Sequence, residues 1–449
     1  MGWVHRTARV RLRVTRGQAR RCFELLRAGG DVWAALLDVN RERFRRGDRP
    51  IANFQEWCRE MTGAPLGELA RICAEGIAKR YCDAFMETAR RHRRGERARY
   101  PRRKRALFPV RFRTGAFAFE GRRLRLAVAR SAPPLWVRLA RELPYPVEQV
   151  RSVTLLVEAG RLCVDVTAAV PVEEHDLDPS RIAGVDMGII HPFAAATGAD
   201  GLVVSGRAIR AEARVHLADT KARQRRTAAR APRRGQRGSR RWRKTRARQR
   251  RLEAKHRRRV SLAHHQAAKT LVAWAIEHRV GTLAVGELAG ITTRDVGRRQ
   301  NLRLRQWRRT HLLGALRDKA QLAGIRLVMI NERATSSTCP ECSTITRPSG
   351  RTFVCSSCRY REHRDLVGAR NIAARSGGTT RIPVRVTHRR AGTVPARRDR
   401  RRHLWDQRRS SPAPGRLPLG GSRSPANPRQ PTGTGTVHDH TRGQPARIN

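Results

Sequence analysis

Four cysteines form two identical pairs near the end of the patterned part of the chain. Two residues separate Cys339 from Cys342 and Cys355 from Cys358, and twelve residues lie between the pairs. Two such pairs can place four thiolates around one tetrahedral Zn²⁺. Because four thiolates leave no coordination position open, the spacing predicts a structural zinc that stabilises a short ribbon, residues 336–360, and carries out no chemistry.

Three carboxylates stand where apolar elements begin or end. Asp186 follows the strand pattern RIAGV, Glu287 ends TLAVGE, and Asp365 opens the helical pattern DLVGARNIAAR. Each alone is more typical of a turn residue or a helix cap. Together they predict a carboxylate cluster whose mutual repulsion divalent cations would relieve, and oxygen ligands suit Mg²⁺ or Mn²⁺. Two such ions would activate water and stabilise the leaving oxygen of a phosphodiester.

The charge of the chain indicates what such a centre would act on. The 449 residues include 97 Lys and Arg against 37 Asp and Glu, a formal charge of +60 that a polyanion would neutralise. Nucleic acid is the expected partner.

The cysteines and the apolar runs of the chain indicate its cellular location. The total of nine cysteines is odd, and the five outside the pairs are scattered, which does not suggest a disulfide framework. No apolar run reaches the length of a membrane span, and the opening MGWVHRTARVRLRV lacks the apolar core of a signal peptide. We therefore expect a cytoplasmic, nucleoid-associated protein without a membrane partner.

The elements that would position these residues follow from periodicity. ARVRLRV alternates as a strand does, apolar residues then recur at helical spacing over about 18–97, and alternation returns from about Tyr100. Glu158, Ala159 and Gly160 resemble a hairpin turn. Residues 1–172 are thus predicted to form a β-barrel interrupted by a helical insert.

The second half shows a different organisation. Strand patterns end at Val185, cover GTLAVGEL and IRLVMIN, and flank an Arg-rich helical region at about 205–280, which predicts a mixed sheet over 173–375. Residues 376–449 lack apolar periodicity and are predicted to be a disordered basic tail. The histidines without defensible ligand spacing, which we assign to no site, are His191, His264 and His265.

Four motifs, taken in order, resemble one known family. GVDMGIIHPFA, AVGEL, the cysteine quartet and RDLVGARNIAAR are similar to the RuvC-like nuclease half of the TnpB family, the RNA-guided DNA endonucleases of insertion sequences, related to compact type V CRISPR effectors. The resemblance is specific over 182–374. It implies an α+β multidomain fold: an RNase H-like (RuvC) mixed sheet with an inserted zinc ribbon, preceded by a β-barrel wedge domain with a helical recognition insert.

The resemblance also implies roles for residues and partners. Asp186, Glu287 and Asp365 match the three catalytic, magnesium-binding carboxylates of the family, although His363 replaces the first acid of the third motif and Gly368 its usual Asn. The implied partners are a guide RNA and target double-stranded DNA, with one or two chains on each RNA. The alternatives are a cleavage-silent RNA-guided DNA-binding regulator and a conventional transposase.

Overall fold

The computed structural model describes residues 2–233, 235–287, 297–348, 350–378 and 385–390, and every structural statement below concerns these ranges. All of them belong to one compact unit, Met1–Val394.

The first part of the chain builds one antiparallel sheet and three helices. In chain order the elements are β1 (Trp3–Arg13), α1 (Arg16–Arg45), α2 (Phe54–Glu60), α3 (Arg71–Arg93), β2 (Val110–Arg113), β3 (Phe117–Glu120), β4 (Arg123–Leu126), β5 (Leu135–Leu139), β6 (Val150–Glu158) and β7 (Arg161–Pro171). The seven strands are ordered β2-β6-β7-β1-β5-β4-β3. Phe112 of one edge strand and Phe117 of the other pack into one apolar core, so the sheet curves towards a closed barrel.

A helix cap and a hairpin turn in this part are explained by their local sequence. α1 begins at a capping box, in which the Thr15 side chain and Gln18 exchange hydrogen bonds with each other's backbone amides. Between β6 and β7, Ala159 and Gly160 have φ values of 51° and 78°. Two consecutive positive φ values define the two-residue turn that matches the twist of a hairpin, so the predicted turn is confirmed.

The second part contains a mixed sheet, a small hairpin and five helices. Its elements are β8 (Asp178–Asp186), β9 (Phe193–Thr197), β10 (Asp200–Ser205), α4 (Arg207–Ala228), α5 (Arg240–Glu277), β11 (Val280–Glu287), α6 (Arg298–Gln306), α7 (Arg309–Leu322), β12 (Arg326–Asn331), β13 (Thr352–Val354), β14 (Arg361–His363), α8 (Arg364–Ala374) and β15 (Arg385–Arg390). The six strands of the mixed sheet are ordered β12-β11-β8-β9-β10-β15. β8, β11 and β12 run parallel, so their carboxyl ends meet at one edge.

Helices cover both faces of the mixed sheet. Ala183 and Val185 of β8 pack with α5 and α7 in the main core on one face. On the other face a Cβ at Gly184 would overlap the carbonyl oxygen of Ala369 in α8. The glycine therefore lets the α8 backbone lie directly on β8, which fixes the position of that helix over the strand ends.

One part of the predicted tail is ordered. β15 pairs in parallel with β10 over six residues, so the prediction of disorder is wrong for Arg385–Arg390. Hydrogen bonds to the exposed edge of β10 provide the order, which apolar periodicity could not signal because the strand is mostly exposed. The remainder of the predicted tail beyond residue 378 lies outside the described residues.

None of the helices in the described ranges offers an apolar stretch that could cross a membrane.

Candidate metal centre

Two of the predicted carboxylates meet at the edge where the parallel strands end. Asp186 is the last residue of β8, and Asp365 lies in the first turn of α8. Gly368, one turn further along α8, faces Asp186 so closely that a Cβ there would lie 3.3 Å from Asp186 Oδ2 and 3.1 Å from Ser336 Oγ. A glycine at this position makes room for the Asp186 carboxylate beneath the helix.

The surroundings of Asp186 favour a bound cation or proton. Burial raises the pKa of Asp186 to about 8, and the negative charges of Asp365 and Glu332 add to the effect. The neighbouring guanidinium groups of Arg364 and Arg351 oppose the increase without cancelling it. A carboxylate in this position gains from a divalent ion, which supplies the charge that the protein lacks there.

Asp365 is held in the opposite ionisation state. Burial by itself would raise its pKa, but a hydrogen bond from His191 and the positive charge of Arg351 outweigh it and lower the pKa. His191 Nδ1 lies 2.7 Å from Asp365 Oδ2, and one Arg351 nitrogen lies 3.0 and 3.2 Å from the two carboxylate oxygens. Asp365 is therefore an ionised carboxylate, fixed in orientation from two sides.

The structure does not bring Glu287 into this cluster. Val285 of β11 is opposite Val185 of β8, so the next residues along, Gly286 and Asp186, lie side by side. Side chains alternate along a strand, which places Glu287 on the face opposite that of Asp186. Glu287 is exposed, and within the described ranges its carboxylate makes no hydrogen bond or ion pair.

Glu332 is the third carboxylate of the observed cluster, and our sequence analysis did not select it. It directly follows β12, and its carboxylate occupies the space above Gly286, where any Cβ would overlap it. Its Oε2 is buried without a hydrogen-bond partner in the described part of the chain. Burial raises the pKa of Glu332 to about 7, with Arg309 opposing the change. A position directly after a strand parallel to β8 was the available signal.

The cysteine quartet converges as its spacing predicts. The sulfurs of Cys339 and Cys358 are 3.6 Å apart, those of Cys342 and Cys355 are 3.5 Å apart, and all four lie within 4.8 Å of one another. Four sulfurs around zinc at about 2.3 Å would be separated by about 3.8 Å, so the quartet could hold one Zn²⁺. A hydrogen bond with Thr344 lowers the pKa of Cys342 to about 6, which favours the thiolate.

The cysteine-bearing segment is packed against α8. Phe353, Cys339 and Cys355 share a small apolar core with Val367 of α8. Arg351, from the same segment, reaches Asp365. The cysteine-bearing segment therefore helps to position Asp365, the third predicted carboxylate.

Two histidines join Asp365 at the N-terminus of α8. His191, His363 and Asp365 each offer a ligand atom, and these atoms lie within 4.8 Å of one another. His191 lies in the turn between β8 and β9, and His363 is the N-cap of α8. Our sequence analysis assigned no role to His191, because residues 191 and 363 meet only through the fold.

A basic groove lies between the first sheet and α5. It has a volume of about 1100 Å³, and its lining includes eight arginines and one lysine against two acidic residues. Arg9 and Arg11 contribute from β1, and Arg251, Lys255 and Arg258 from α5. Its positive charge suits a phosphate backbone.

Comparisons with known proteins agree with the sequence motifs. A family model described as a probable transposase matches residues 162–292, and a Cas12f1-like TNB domain model matches residues 310–372. The CRISPR-associated endodeoxyribonuclease Cas12f1 of Sulfoacidibacillus thermotolerans is 34% identical over 113 residues, which cover 24% of this chain and 26% of that protein. The sequence match thus spans about a quarter of the length of this curated relative.

Solved structures show a similar fold at low identity. The cryo-EM structure of the Cas12f1–sgRNA–target DNA complex matches with a TM-score of 0.60 and 13% identity, covering 82% of this chain and 98% of that one. The mini-RNA-guided endonuclease CRISPR-Cas_phi3 matches with a TM-score of 0.50 and 10% identity, covering 85% and 94%. The family models, the curated relative and the shared fold together agree with the resemblance that the four motifs carry.

Proposed function

We propose that this protein is an RNA-guided DNA endonuclease whose RuvC-like nuclease centre lies at the carboxyl ends of β8, β11 and β12. The observation that carries the proposal is the buried Asp186 carboxylate, which lies against Gly368 of α8 and whose pKa is raised to about 8 by burial and by the charges of Asp365 and Glu332. Ligands of open α/β sheets bind at this kind of edge. Strongly perturbed carboxylates are also characteristic of catalytic sites.

The residues present fit divalent ions. Asp365 offers an ionised carboxylate, while Asp186 and the unpartnered Oε2 of Glu332 need positive charge. Asp186 and Asp365 would hold Mg²⁺ or Mn²⁺, with Glu332 as the third carboxylate in place of Glu287. Bound ions of this kind activate a water molecule and stabilise the leaving oxygen of a phosphodiester. The protein itself contributes the fixed positions of Asp186 and Asp365 and the positive charge of Arg351.

The rest of the chain supports nucleic-acid binding. The basic groove between β1 and α5 would hold the guide RNA, and base pairing between the RNA and the target strand would supply the sequence specificity. The structural relatives include a protein solved with guide RNA and target DNA. The cysteine quartet would hold a structural zinc that keeps Arg351 and α8 in register.

A cleavage-silent RNA-guided DNA binder is the second candidate. Two observations favour it: Glu287 is exposed on the opposite face of β11, and Arg351 already neutralises both oxygens of Asp365. Such a protein would bind matched DNA without hydrolysing it.

Alanine variants separate the two candidates. In the presence of the RNA that copurifies with the protein, Asp186→Ala and Asp365→Ala should each slow cleavage of matched DNA by at least about 100-fold, because ions that stabilise the transition state by several kcal/mol lose a ligand. Guided DNA binding should persist in both. Asp219→Ala, which removes an exposed acid from α4, is the control for the change in charge and should cleave normally.

Two results would contradict the proposal. Cleavage at the wild-type rate in both active-site variants would place the nuclease centre elsewhere. Guided binding without cleavage by the wild-type protein in Mg²⁺ and in Mn²⁺ would establish the cleavage-silent binder.

A further inference from the structure

Two imidazoles and one carboxylate converge at the N-terminus of α8. The ligand atoms of His191, His363 and Asp365 lie within 4.8 Å of one another, and they come from the turn between β8 and β9 and from the start of α8. The side chains are mostly enclosed: 17% of the His191 side chain and 12% of the Asp365 side chain are exposed. His191 and Asp365 are 174 residues apart in the chain, so only the tertiary structure brings them together.

The geometry points to a site for one divalent first-row transition ion, of the class from Mn²⁺ to Zn²⁺, bound by His191, His363 and Asp365. Imidazole nitrogen is a favourable ligand for these ions, whereas Mg²⁺ takes oxygen ligands in near-octahedral geometry. The site therefore discriminates against Mg²⁺ by ligand chemistry. It shares Asp365 with the proposed nuclease centre, and in that respect it rests on the proposed function, but binding of the ion does not require cleavage.

Two of the ligands are already oriented. The His363 ring is fixed by the hydrogen bond that its Nδ1 accepts from the Asp365 amide, with a nitrogen–nitrogen distance of 3.3 Å. His191 Nδ1 and Asp365 Oδ2 are 2.7 Å apart, which fixes the His191 ring beside the carboxylate.

Arg351 is the built-in competitor for this site. Its guanidinium contacts both oxygens of Asp365 at 3.0 and 3.2 Å, which places a positive charge beside the position of the ion. The Arg351 side chain is 49% exposed, so it can turn outwards into solvent. Removing its charge should therefore increase the affinity for the ion.

The test uses the full-length protein with its cysteine quartet loaded with Zn²⁺, titrated with Mn²⁺ in excess Mg²⁺. Electron paramagnetic resonance should show one Mn²⁺ retained per chain, and spin-echo modulation should show coupling to histidine nitrogen. His191→Ala and His363→Ala should each weaken this Mn²⁺ by at least about tenfold, as loss of metal-site residues does. Arg351→Ala should bind it more tightly. His5→Ala, an exposed histidine of β1, is the matched control and should bind as the wild type does.

The variant His363→Asp is a control for misfolding. Aspartate is also a favourable N-cap, so α8 should form, while one nitrogen ligand is exchanged for oxygen. We expect nitrogen coupling to decrease and Mg²⁺ to displace the Mn²⁺ from this variant. If this variant keeps the wild-type preference for Mn²⁺, His363 is not a ligand and the proposal fails.

The outcomes separate this proposal from the proposed function. A retained Mn²⁺ without nitrogen coupling in the wild type, or wild-type affinity in both alanine variants, would overturn the histidine site even if the protein cleaves DNA with Mg²⁺. Nitrogen-coupled Mn²⁺ in a protein that never cleaves matched DNA would support the histidine site and contradict the proposed nuclease function.

Discussion

Replacing Asp186 with asparagine should stabilise the protein when no catalytic ion is bound. A carboxyl whose pKa is higher in the folded protein than in the unfolded chain takes up a proton on folding, so the free energy of unfolding decreases as the pH rises between the two values. Burial raises the pKa of Asp186 from 3.8 to about 8. The neutral amide introduced by Asp186→Asn has no such penalty.

The magnitude follows from these two values. At pH 7 the gap to the unfolded-state pKa of 3.8 is about three pH units, and at about 1.4 kcal/mol for each unit the penalty is about 4 kcal/mol. Water that reaches this half-buried residue screens part of the penalty, so Asp186→Asn should gain about 2–4 kcal/mol in the free energy of unfolding. Each kcal/mol corresponds to about 2–4 °C in Tm for a domain of 150–250 residues. The gain of Asp186→Asn should shrink as the pH falls from 8 towards 5.

Thermal unfolding of the zinc-loaded protein, in buffer stripped of other divalent ions, measures this difference. Asp365→Asn is a control with the opposite sign: the pKa of Asp365 is lowered on folding, so its ionised form stabilises the protein at neutral pH and the amide should lower Tm. Added Mn²⁺ should raise the Tm of the wild type more than that of Asp186→Asn. If Asp186→Asn is no more stable than the wild type at pH 7.5, or if its advantage is the same at pH 5, the reasoning about this carboxylate is refuted.

Four other changes test the fold and its surfaces. Gly184→Ala should destabilise the protein by at least about 3 kcal/mol in denaturant unfolding, because the new methyl overlaps the α8 backbone; an unchanged midpoint would contradict the packing described. Cys355→Ser should lose the bound zinc and protease resistance of the ribbon, whereas Cys58→Ser should keep both; metal analysis showing zinc in the first would exclude the quartet. A chain that stops after Arg390 should keep the Tm of the full chain, and one that stops before β15 should lower it by exposing the edge of β10. Arg251→Ala should reduce the salt dependence of RNA affinity by a slope of about 0.7–0.9, and an unchanged slope would place the RNA outside the groove.

The parts of the site that sequence could predict are those with local signals. The CxxC pairs fix their own sulfurs within a short segment, and the helical pattern that Asp365 opens places it in the first turn of α8. Asp186 was recognisable because it ends a strand buried between helices. Each of these features depends on residues close together in the chain.

The parts that sequence could not predict depend on pairing between distant segments. His191 becomes a neighbour of Asp365 only when α8 is laid across β8. The sheet face on which the Glu287 side chain lies depends on the register between β8 and β11. A shift of one residue would move that side chain to the face of Asp186. The influence of Glu332 on Asp186 depends on the order of the strands in the sheet, because β11 lies between β12 and β8.

The central claim is that the edge bearing Asp186 and Asp365 cuts DNA selected by a bound RNA. The most direct measurement is to purify the full chain with its native RNA, sequence that RNA, and incubate the complex and Mg²⁺ or Mn²⁺ with DNA that matches its variable end beside a randomised flank. The account predicts cleavage of the matched DNA with one flanking motif enriched, no cleavage of unmatched DNA, and loss of cleavage in Asp186→Ala with binding retained. Cleavage that ignores the RNA sequence, or matched DNA that is bound by the wild type and never cut, would contradict it.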